Sequence, residues 1–266
     1  MVTMSGHVQL RNSGTGSWAA IREVTGFDEE AVSSTGTPAA IALIDRLLLP
    51  VPGTKIRPGS AASLTAADRD LVLAAVHVQV SGPLVRSALT CTGCREIFDL
   101  DFNLPDLLAR LRQANEQTQV RTLANGVFEL ESGVRFRLPT GEEECALIGM
   151  PQVEGVQWIL ERCVVDGEAG LAGEQAQLAM EQVAPVADVD LAAECPECGA
   201  NERVHFDLQH YLLSGFMAER RTLATEVHLL ARGYGWSRHE IMEMPRSQRK
   251  SAVSMVTGAE PARWGY

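Results

Sequence analysis

The sequence predicts an α+β fold that combines β-hairpins around two pairs of cysteines, an inserted α/β segment and a helical C-terminal region. Two observations support this fold class. Each C-x-x-C motif, at 91–94 and at 195–198, is followed by a segment in which apolar residues alternate with polar or acidic ones, as in strands with one buried face. From residue 208 onward, apolar residues recur every three or four positions, which is typical of helices.

The composition is that of a soluble protein with one or two domains. Of the 266 residues, 45% are hydrophobic, which suffices for a core. The net charge of −11 argues against general affinity for nucleic acids or anionic membranes, which attract clustered positive charge. No window approaches the ~18 apolar residues of a membrane helix, and the N-terminus lacks an export signal. We therefore expect cytoplasmic synthesis, no membrane partner and a flexible arm over residues 1–20.

Charge is distributed unevenly along the chain. Residues 219–266 contain eight basic and five acidic side chains, a net charge of +3, which leaves −14 for residues 1–218. A basic C-terminal segment on an acidic body is typical of an interaction tail, and equally of a solvated helix face.

Four of the six cysteines form two pairs, Cys91 with Cys94 and Cys195 with Cys198. A C-x-x-C turn brings two thiolates within reach of one metal ion, so two such turns supply a tetrahedral four-sulfur site. Both pairs are followed by a strand-like segment that contains Phe-Asp-Leu. The pattern predicts a zinc ribbon whose two halves are separated by about 100 residues.

Other uses of these cysteines are disfavoured. A thioredoxin-like redox motif would begin a helix, whereas strands follow both pairs, and nothing directs the chain to an oxidising compartment where disulfides form. Thiolate softness and the preference for tetrahedral sulfur sites favour structural Zn²⁺, while iron has the same ligand set and stays open. Cys145 and Cys163 have no partner at metal-ligand spacing and are expected to be small buried residues.

The remaining elements follow from caps, periodicity and turn signals. Helices are predicted from Thr37-Pro38 to Leu48 and from the Thr65 cap to about Val80. His77 lies among apolar neighbours, which indicates a structural histidine. Between the cysteine pairs, the pattern predicts helices and short strands in the following segments: helices at 105–113, 157–164 and 170–182, and strands at 119–123, 126–130 and 134–138. The acidic run 142–144 is expected to be the solvated first turn of another helix.

The C-terminal third is predicted to be helical. One long helix begins at Leu208 and stops at Gly235. Ser237 and Glu240 then form a capping box that starts a short helix, and Pro245 ends it and opens another. In that last helix we expect three charges on one turn of surface, namely Arg246, Arg249 and Lys250.

The chain resembles the baseplate proteins of T-even-like contractile phage tails and of related contractile injection systems. The resemblance is carried by residues 71–102, by 134–141, by the second cysteine pair with Phe206-Asp207-Leu208, and above all by 226–249. In the family, that last stretch reads as a helix with Val-His-x-Leu-Ala, an aromatic-x-Trp-Ser turn, Glu-x-Ile and Leu-Pro-x-x-x-Arg. The match covers about two thirds of the chain in the right order. Residues 141–193 are longer and more variable than the family pattern.

The resemblance implies a non-enzymatic structural or assembly component of the baseplate. The expected partners are other baseplate, hub, spike or tube-initiator subunits in an assembled particle, with no small-molecule substrate. From the residues, we place the contact surface between Tyr234 and Lys250, at the following side chains: Tyr234, Trp236, Arg238, Arg246, Arg249 and Lys250. Trp236 is either an apolar anchor for a partner or a residue that closes the chain's own core.

A zinc-ribbon protein that binds nucleic acid or acts in transcription is the alternative. It would use Arg238, Arg246, Arg249 and Lys250 on phosphates, but the acidic body and the lack of aromatic residues among basic ones disfavour it. No phosphate loop or catalytic triad is recognisable, which points away from an enzyme. The predicted organisation is as follows: arm 1–20, helical region 21–82, zinc ribbon 83–102 and 194–208, insertion 103–193, and helical C-terminal region with a basic tail 209–266.

Overall fold

The computed structural model describes residues 6–12, 18–113, 120–166 and 171–258. Its strands, numbered in chain order, are β1 His7–Gln9, β2 Trp18–Ile21, β3 Leu48–Leu49, β4 Leu84–Thr90, β5 Ile97–Asn103, β6 Val120–Thr122, β7 Val127–Leu130, β8 Arg135–Arg137, β9 Val164–Asp166, β10 Asp188–Glu194 and β11 Asn201–Asp207. Its α-helices are α1 Gly26–Ala31, α2 Thr37–Leu47, α3 Ala66–Ser81, α4 Leu104–Gln113, α5 Gly141–Ala146, α6 Gln152–Cys163, α7 Leu171–Val183, α8 Leu208–Ala218, α9 Arg220–Tyr234, α10 Arg238–Glu243 and α11 Arg246–Thr257.

The strands form four antiparallel sheets, which confirms the α+β class. A three-stranded sheet has the order β1-β2-β3, and a four-stranded sheet has the order β6-β7-β8-β9. The other two sheets are the hairpins β4-β5 and β10-β11, each paired over seven residues. The insertion therefore contributes a sheet of its own, and the two hairpins flank it in sequence.

The main core forms around α3. This helix is buried along its first three turns, including Leu73 and Val76, because apolar residues occupy all of its faces rather than one stripe. Thr65 caps it by accepting a hydrogen bond from the Asp68 amide at 3.3 Å. Helices α2 and α8 pack against α3, together with the β1-β2-β3 sheet.

The insertion has a smaller core between its sheet and α7. Phe128 and Phe136 stack at a centroid distance of 5.5 Å, and Ala176 and Ala179 of α7 are buried beside them. The apolar residues of the predicted helix 157–164, among them Trp158, suggest a core helix, but in α6 Trp158 is only half-buried, and Val153, in the added first turn, is 81% exposed. Its apolar residues lie on more than one face, so they cannot all reach the core.

The predicted flexible arm is wrong for the described residues before Ile21. Strand β1 pairs with β2, and Val8 and Ala19 are buried in the main core. Burial of these apolar residues and the pairing of β1 with β2 stabilise an N-terminal segment that is otherwise polar and rich in glycine. Residues 1–5 and 13–17 of the predicted arm lie outside the described residues.

The single helix predicted from Leu208 to Gly235 is two helices. Helix α8 ends at Ala218, and α9 begins at Arg220 after a break at Glu219. The break lets α8 pack on α3 and α9 pack on α11. The second hairpin also begins at Asp188, six residues before the predicted ribbon boundary at 194, because β10 pairs with all seven residues of β11.

Within the part of the chain that the structure describes, no helix combines the length and apolar character that crossing a bilayer would require.

Candidate metal centre

The two cysteine turns have the same backbone geometry. The Cys91 amide donates to the Glu96 carbonyl at 2.9 Å, and the Cys195 amide donates to the Ala200 carbonyl at 2.9 Å. The residue before each accepting carbonyl has a left-handed backbone conformation, with φ of +67° at Arg95 and +71° at Gly199. The hairpins on either side of the insertion are therefore structural repeats, as the sequence predicted.

The repeats bring four sulfurs together. The Sγ atoms of Cys91 and Cys198 are 3.6 Å apart, those of Cys94 and Cys195 are 3.7 Å apart, and all four lie within 4.8 Å of one another. A tetrahedral ion with metal–sulfur bonds of about 2.3 Å would separate its ligands by about 3.8 Å. The four cysteines fit a tetrahedral metal site.

The surroundings support a metal site rather than a dithiol. Amides of Gly93 and Cys94 donate to the Cys91 sulfur, and the turn of Cys195 repeats this with its own amides. The Glu96 amide lowers the pKa of the Cys94 thiol, but burial and the three neighbouring thiols raise it to about 12. A divalent cation bound between the four sulfurs would stabilise them as thiolates.

Two of the four cysteines, Cys91 and Cys195, are buried, whereas Cys94 is half-buried and Cys198 is exposed. Phe98 packs against Cys91 and Cys195, both of which are 1% exposed. At the other end of the hairpins, the rings of Phe102 and Phe206 meet edge to face at 4.9 Å. The hairpins thus contact each other at both ends, with the sulfurs at the tip.

A second link between the hairpins was not anticipated. The Glu202 carboxylate accepts hydrogen bonds from the Thr92 amide at 2.7 Å and from the Thr92 hydroxyl at 2.9 Å. These bonds lower the pKa of Glu202. Nothing in the local sequence marks Glu202, because its partner is 110 positions away and only the pairing of the two turns brings them together.

The predicted partner-contact residues separate into two groups. Tyr234 is 43% exposed, and its ring stacks on the half-buried Trp236 at a centroid distance of 4.5 Å. Arg238 is exposed and pairs with Glu30 at 2.5 Å. These three side chains are at the surface, at the junction of α9 and α10.

The surface position predicted for Arg246 and Arg249 is wrong. Arg246 is 5% exposed and Arg249 is fully buried. Both guanidiniums bind Glu29, at 2.9 Å and 2.6 Å, and Arg249 also binds Glu226 at 2.7 Å. Burial of these charges is possible because each has a carboxylate partner. Neither side chain can contact a partner protein through its charge.

Lys250 lies between these groups. It is half-buried, and burial together with the charge of Arg246 lowers its pKa. The terminal part of the predicted basic tail, residues 259–266, lies outside the described residues.

Other predicted polar residues have structural roles. The His77 ring is buried, with its Nε2 atom 3.3 Å from the Leu84 carbonyl. Glu143 and Glu144, expected to be solvated, pair with Arg137 and Arg69 instead. Cys163 is buried as predicted, and burial raises its pKa to about 11.

Among the described residues, the four cysteines are the single group of three or more His, Cys, Asp or Glu side chains that could hold a metal ion. No family model, curated protein or solved structure matches the chain.

Proposed function

We propose that this protein is a non-enzymatic structural or assembly component of the baseplate of a contractile phage tail or contractile injection system. The observation that carries the proposal is the stretch 226–249, where the resemblance is strongest. Its motif residues shape one compact helical unit: Gly235 takes a φ of +72° after α9, Ser237 and Glu240 form the capping box, and Arg249 joins the buried ion cluster. Each of these motif residues therefore has a structural role in the helical unit.

The metal that we propose for the four-cysteine site is Zn²⁺. Four thiolates in a tetrahedral arrangement suit zinc, and they leave no coordination position for water or substrate. The ion would therefore act as a clamp between the hairpins rather than as a catalyst. This role agrees with a scaffold protein and gives no support to a hydrolase.

The contact surface that we propose consists of Tyr234, Trp236 and Arg238. Tyrosine, tryptophan and arginine are the residue types that contribute most to binding at protein interfaces. The rings of Tyr234 and Trp236 stack on each other at the surface. Because each ring restricts the other, little side-chain conformational entropy would be lost on binding. The expected partner is another baseplate, hub, spike or tube-initiator subunit.

The nucleic-acid alternative loses support. Two of its four candidate phosphate contacts, Arg246 and Arg249, are buried in ion pairs. The hairpins are acidic: residues 84–103 contain three acidic and two basic side chains, and residues 188–207 contain six acidic and one basic. Such a surface repels phosphates.

Binding to neighbouring subunits tests the proposal. We would purify the chain with each hub, spike or tube-initiator subunit encoded beside it, and measure complex formation by size exclusion and calorimetry. The proposal predicts a stable complex with at least one of them. Trp236→Ala should weaken that complex by about 2 kcal/mol, roughly 30-fold in Kd.

Trp158→Ala is the matched control. Trp158 is also half-buried, but it lies on α6 in the insertion, beneath the Arg162 guanidinium at 3.8 Å. This variant should bind the partner like the wild type, and both variants should keep the metal. Failure of every neighbouring subunit to bind, together with salt-sensitive DNA binding, would overturn the proposal.

A further inference from the structure

A cleft lies between the insertion and the main body. It has a volume of about 390 Å³, within the size range of small-molecule sites. The segment after β1, helix α4, the β6-β7 connection and the end of α7 all line it. It is remote from the cysteine site, none of whose ligands lines it.

Two arginines, Arg11 and Arg112, line this cleft together with the buried carboxylate of Asp70, which accepts a hydrogen bond from the Ala187 amide. Over the ranges that the structure describes, neither guanidinium has a carboxylate within 4.0 Å, whereas Arg22, Arg46, Arg69 and others pair with acids. Burial and the positive charge of Arg11 lower the pKa of Arg112. Two arginines that repel each other in a half-enclosed site would be stabilised by an anion between them.

Both arginines are carried by well-anchored backbone. The buried Asp68 carboxylate accepts hydrogen bonds from the amides of Arg11 at 2.8 Å and of Asn12 at 3.1 Å. Arg112 lies in the last turn of α4, which is anchored by buried Leu104 and Leu108. The backbone that carries the two arginines is thus in place before any ligand arrives, although the Arg11 side chain is exposed, and ordered backbone reduces the entropic cost of binding.

An apolar cavity adjoins the cationic cleft. It has a volume of about 530 Å³ and shares Ala67, Leu111, Ala184 and Pro185 with the first cavity. Its other lining residues include the apolar Leu138 and Met180 and also two acidic residues, Glu181 and Asp188. A ligand with its charged end at the arginines could therefore extend an apolar portion over Leu111 into this space.

We propose that the two cavities together form a binding site for a small amphiphilic anion, with a carboxylate or phosphate head at Arg11 and Arg112 and an aliphatic portion in the apolar cavity. The site is independent of the cysteine centre and of the surface at Trp236. Its position between the insertion and the body means that a bound ligand would contact both.

Four probes separate the contribution of the charged head group from that of the aliphatic portion: hexanoate, hexyl phosphate, acetate and 1-hexanol. Calorimetry and thermal shift on the full chain should show binding of hexanoate or hexyl phosphate at about millimolar Kd, with acetate and 1-hexanol at least about tenfold weaker. The tighter of the two anionic probes identifies the head group. Equal binding of the tighter anionic probe and 1-hexanol would overturn the role of the arginines, and equal binding of that probe and acetate would overturn that of the apolar cavity.

Variants on one helix provide the second test. Arg112→Ala should weaken binding of the tighter anionic probe by about tenfold or more. Arg110→Ala removes the same charge from an exposed position of α4 outside the cavity lining, and should bind like the wild type. Equal weakening by both variants would show a nonspecific charge effect and would overturn the site. The metal content of each variant, which should be unchanged, verifies that the chain is folded.

Discussion

The Arg249 guanidinium is fully buried where α1, α9 and α11 meet, bound to Glu29 and Glu226. Its Nη1 atom lacks a hydrogen-bond partner in the described structure, and that loss adds to the desolvation cost. A charge in this position is stable only while both carboxylates face it. Arg249 is therefore a structural residue that joins the N-terminal and C-terminal parts of the chain.

Replacing Arg249 by Met keeps most of the side-chain volume but takes the bound cation away from buried Glu226 and removes one of the two arginines that bind buried Glu29. We expect a loss of about 3–5 kcal/mol in the free energy of unfolding, measured by urea denaturation. Arg221→Ala, at an exposed position of α9, should change it by less than about 0.5 kcal/mol. Similar small effects at both positions would mean that Arg249 is not buried in solution.

Asp70 is the clearest source of pH dependence. Its carboxylate is 8% exposed and accepts a hydrogen bond from the Ala187 amide at 2.7 Å. Burial raises its pKa from 3.8 to about 6, although the Ala187 amide and Arg69 oppose the rise. Because the folded state holds this proton more tightly, the contribution to stability is complete below pH 3.8 and is lost as the pH rises through 6.

Asp70→Asn should remove that dependence. Between pH 5 and pH 7.5 the wild type should lose about 1 kcal/mol of unfolding free energy from this group, and the variant should not. The difference in unfolding free energy between variant and wild type, measured at both pH values, isolates Asp70 from other titrating groups. A difference that is the same at both pH values would contradict the raised pKa.

At the residue scale, sequence reasoning worked where the partners are local. Ser237 and Glu240 are three residues apart, and the box they form was predicted from the sequence. The sequence wrongly predicts Arg249 at the surface because its partner Glu29 is 220 positions away. An arginine in a helix can face solvent or pair with a buried carboxylate, and the local sequence does not distinguish the two. Only the packing of α1 against α9 and α10 decides between the two.

At the scale of elements, the contact between the insertion and the body depends on the start of α5. The Gly141 amide donates to the Leu64 carbonyl at 2.9 Å, and Glu144 binds Arg69 at 2.7 Å. A Cβ atom on Gly141 would lie 2.8 Å from Ile41 Cδ1 and 3.2 Å from the Ala62 carbonyl oxygen. Glycine permits this close approach of α5 to α2.

Gly141→Ala should therefore weaken the docking of α5 and lower the unfolding free energy by about 1–2 kcal/mol. Gly215→Ala is the matched control in α8, where an added Cβ meets nothing within 4 Å, and it should stabilise the chain by about 0.5–1 kcal/mol because alanine favours helix. Denaturation curves of the two variants give both values. Stabilisation by both substitutions would show that α5 is not tightly docked.

Element types were predicted better than their connections. Strands β6, β7 and β8 and the caps of α3 and α10 follow from alternation, turn residues and capping residues within a few positions. The break at Glu219 lies within an uninterrupted helical pattern, and tertiary contacts cause it: Arg220 donates to the Val32 carbonyl at 2.5 Å, and Arg246 binds Glu219. Such contacts leave no local signal.

At the scale of the whole molecule, the four cysteines connect segments that are 101 to 107 positions apart. The spacing within each pair made the quartet predictable, since C-x-x-C turns are local and two of them complete a tetrahedral set. The participation of β1 and β2 in the main core was not predictable, because a glycine-rich and serine-rich N-terminus reveals neither its sheet partners nor its burial. A metal at the hairpin tips would offset the entropic cost of closing the long insertion.

The metal content of the purified chain tests the central claim most directly. We predict one zinc ion per chain by elemental mass spectrometry, lost in Cys94→Ser together with a fall in melting temperature. Cys145→Ser, which removes a half-buried thiol outside the quartet, should keep both the zinc and the melting temperature. A wild-type chain that is folded and contains neither zinc nor iron would contradict the account.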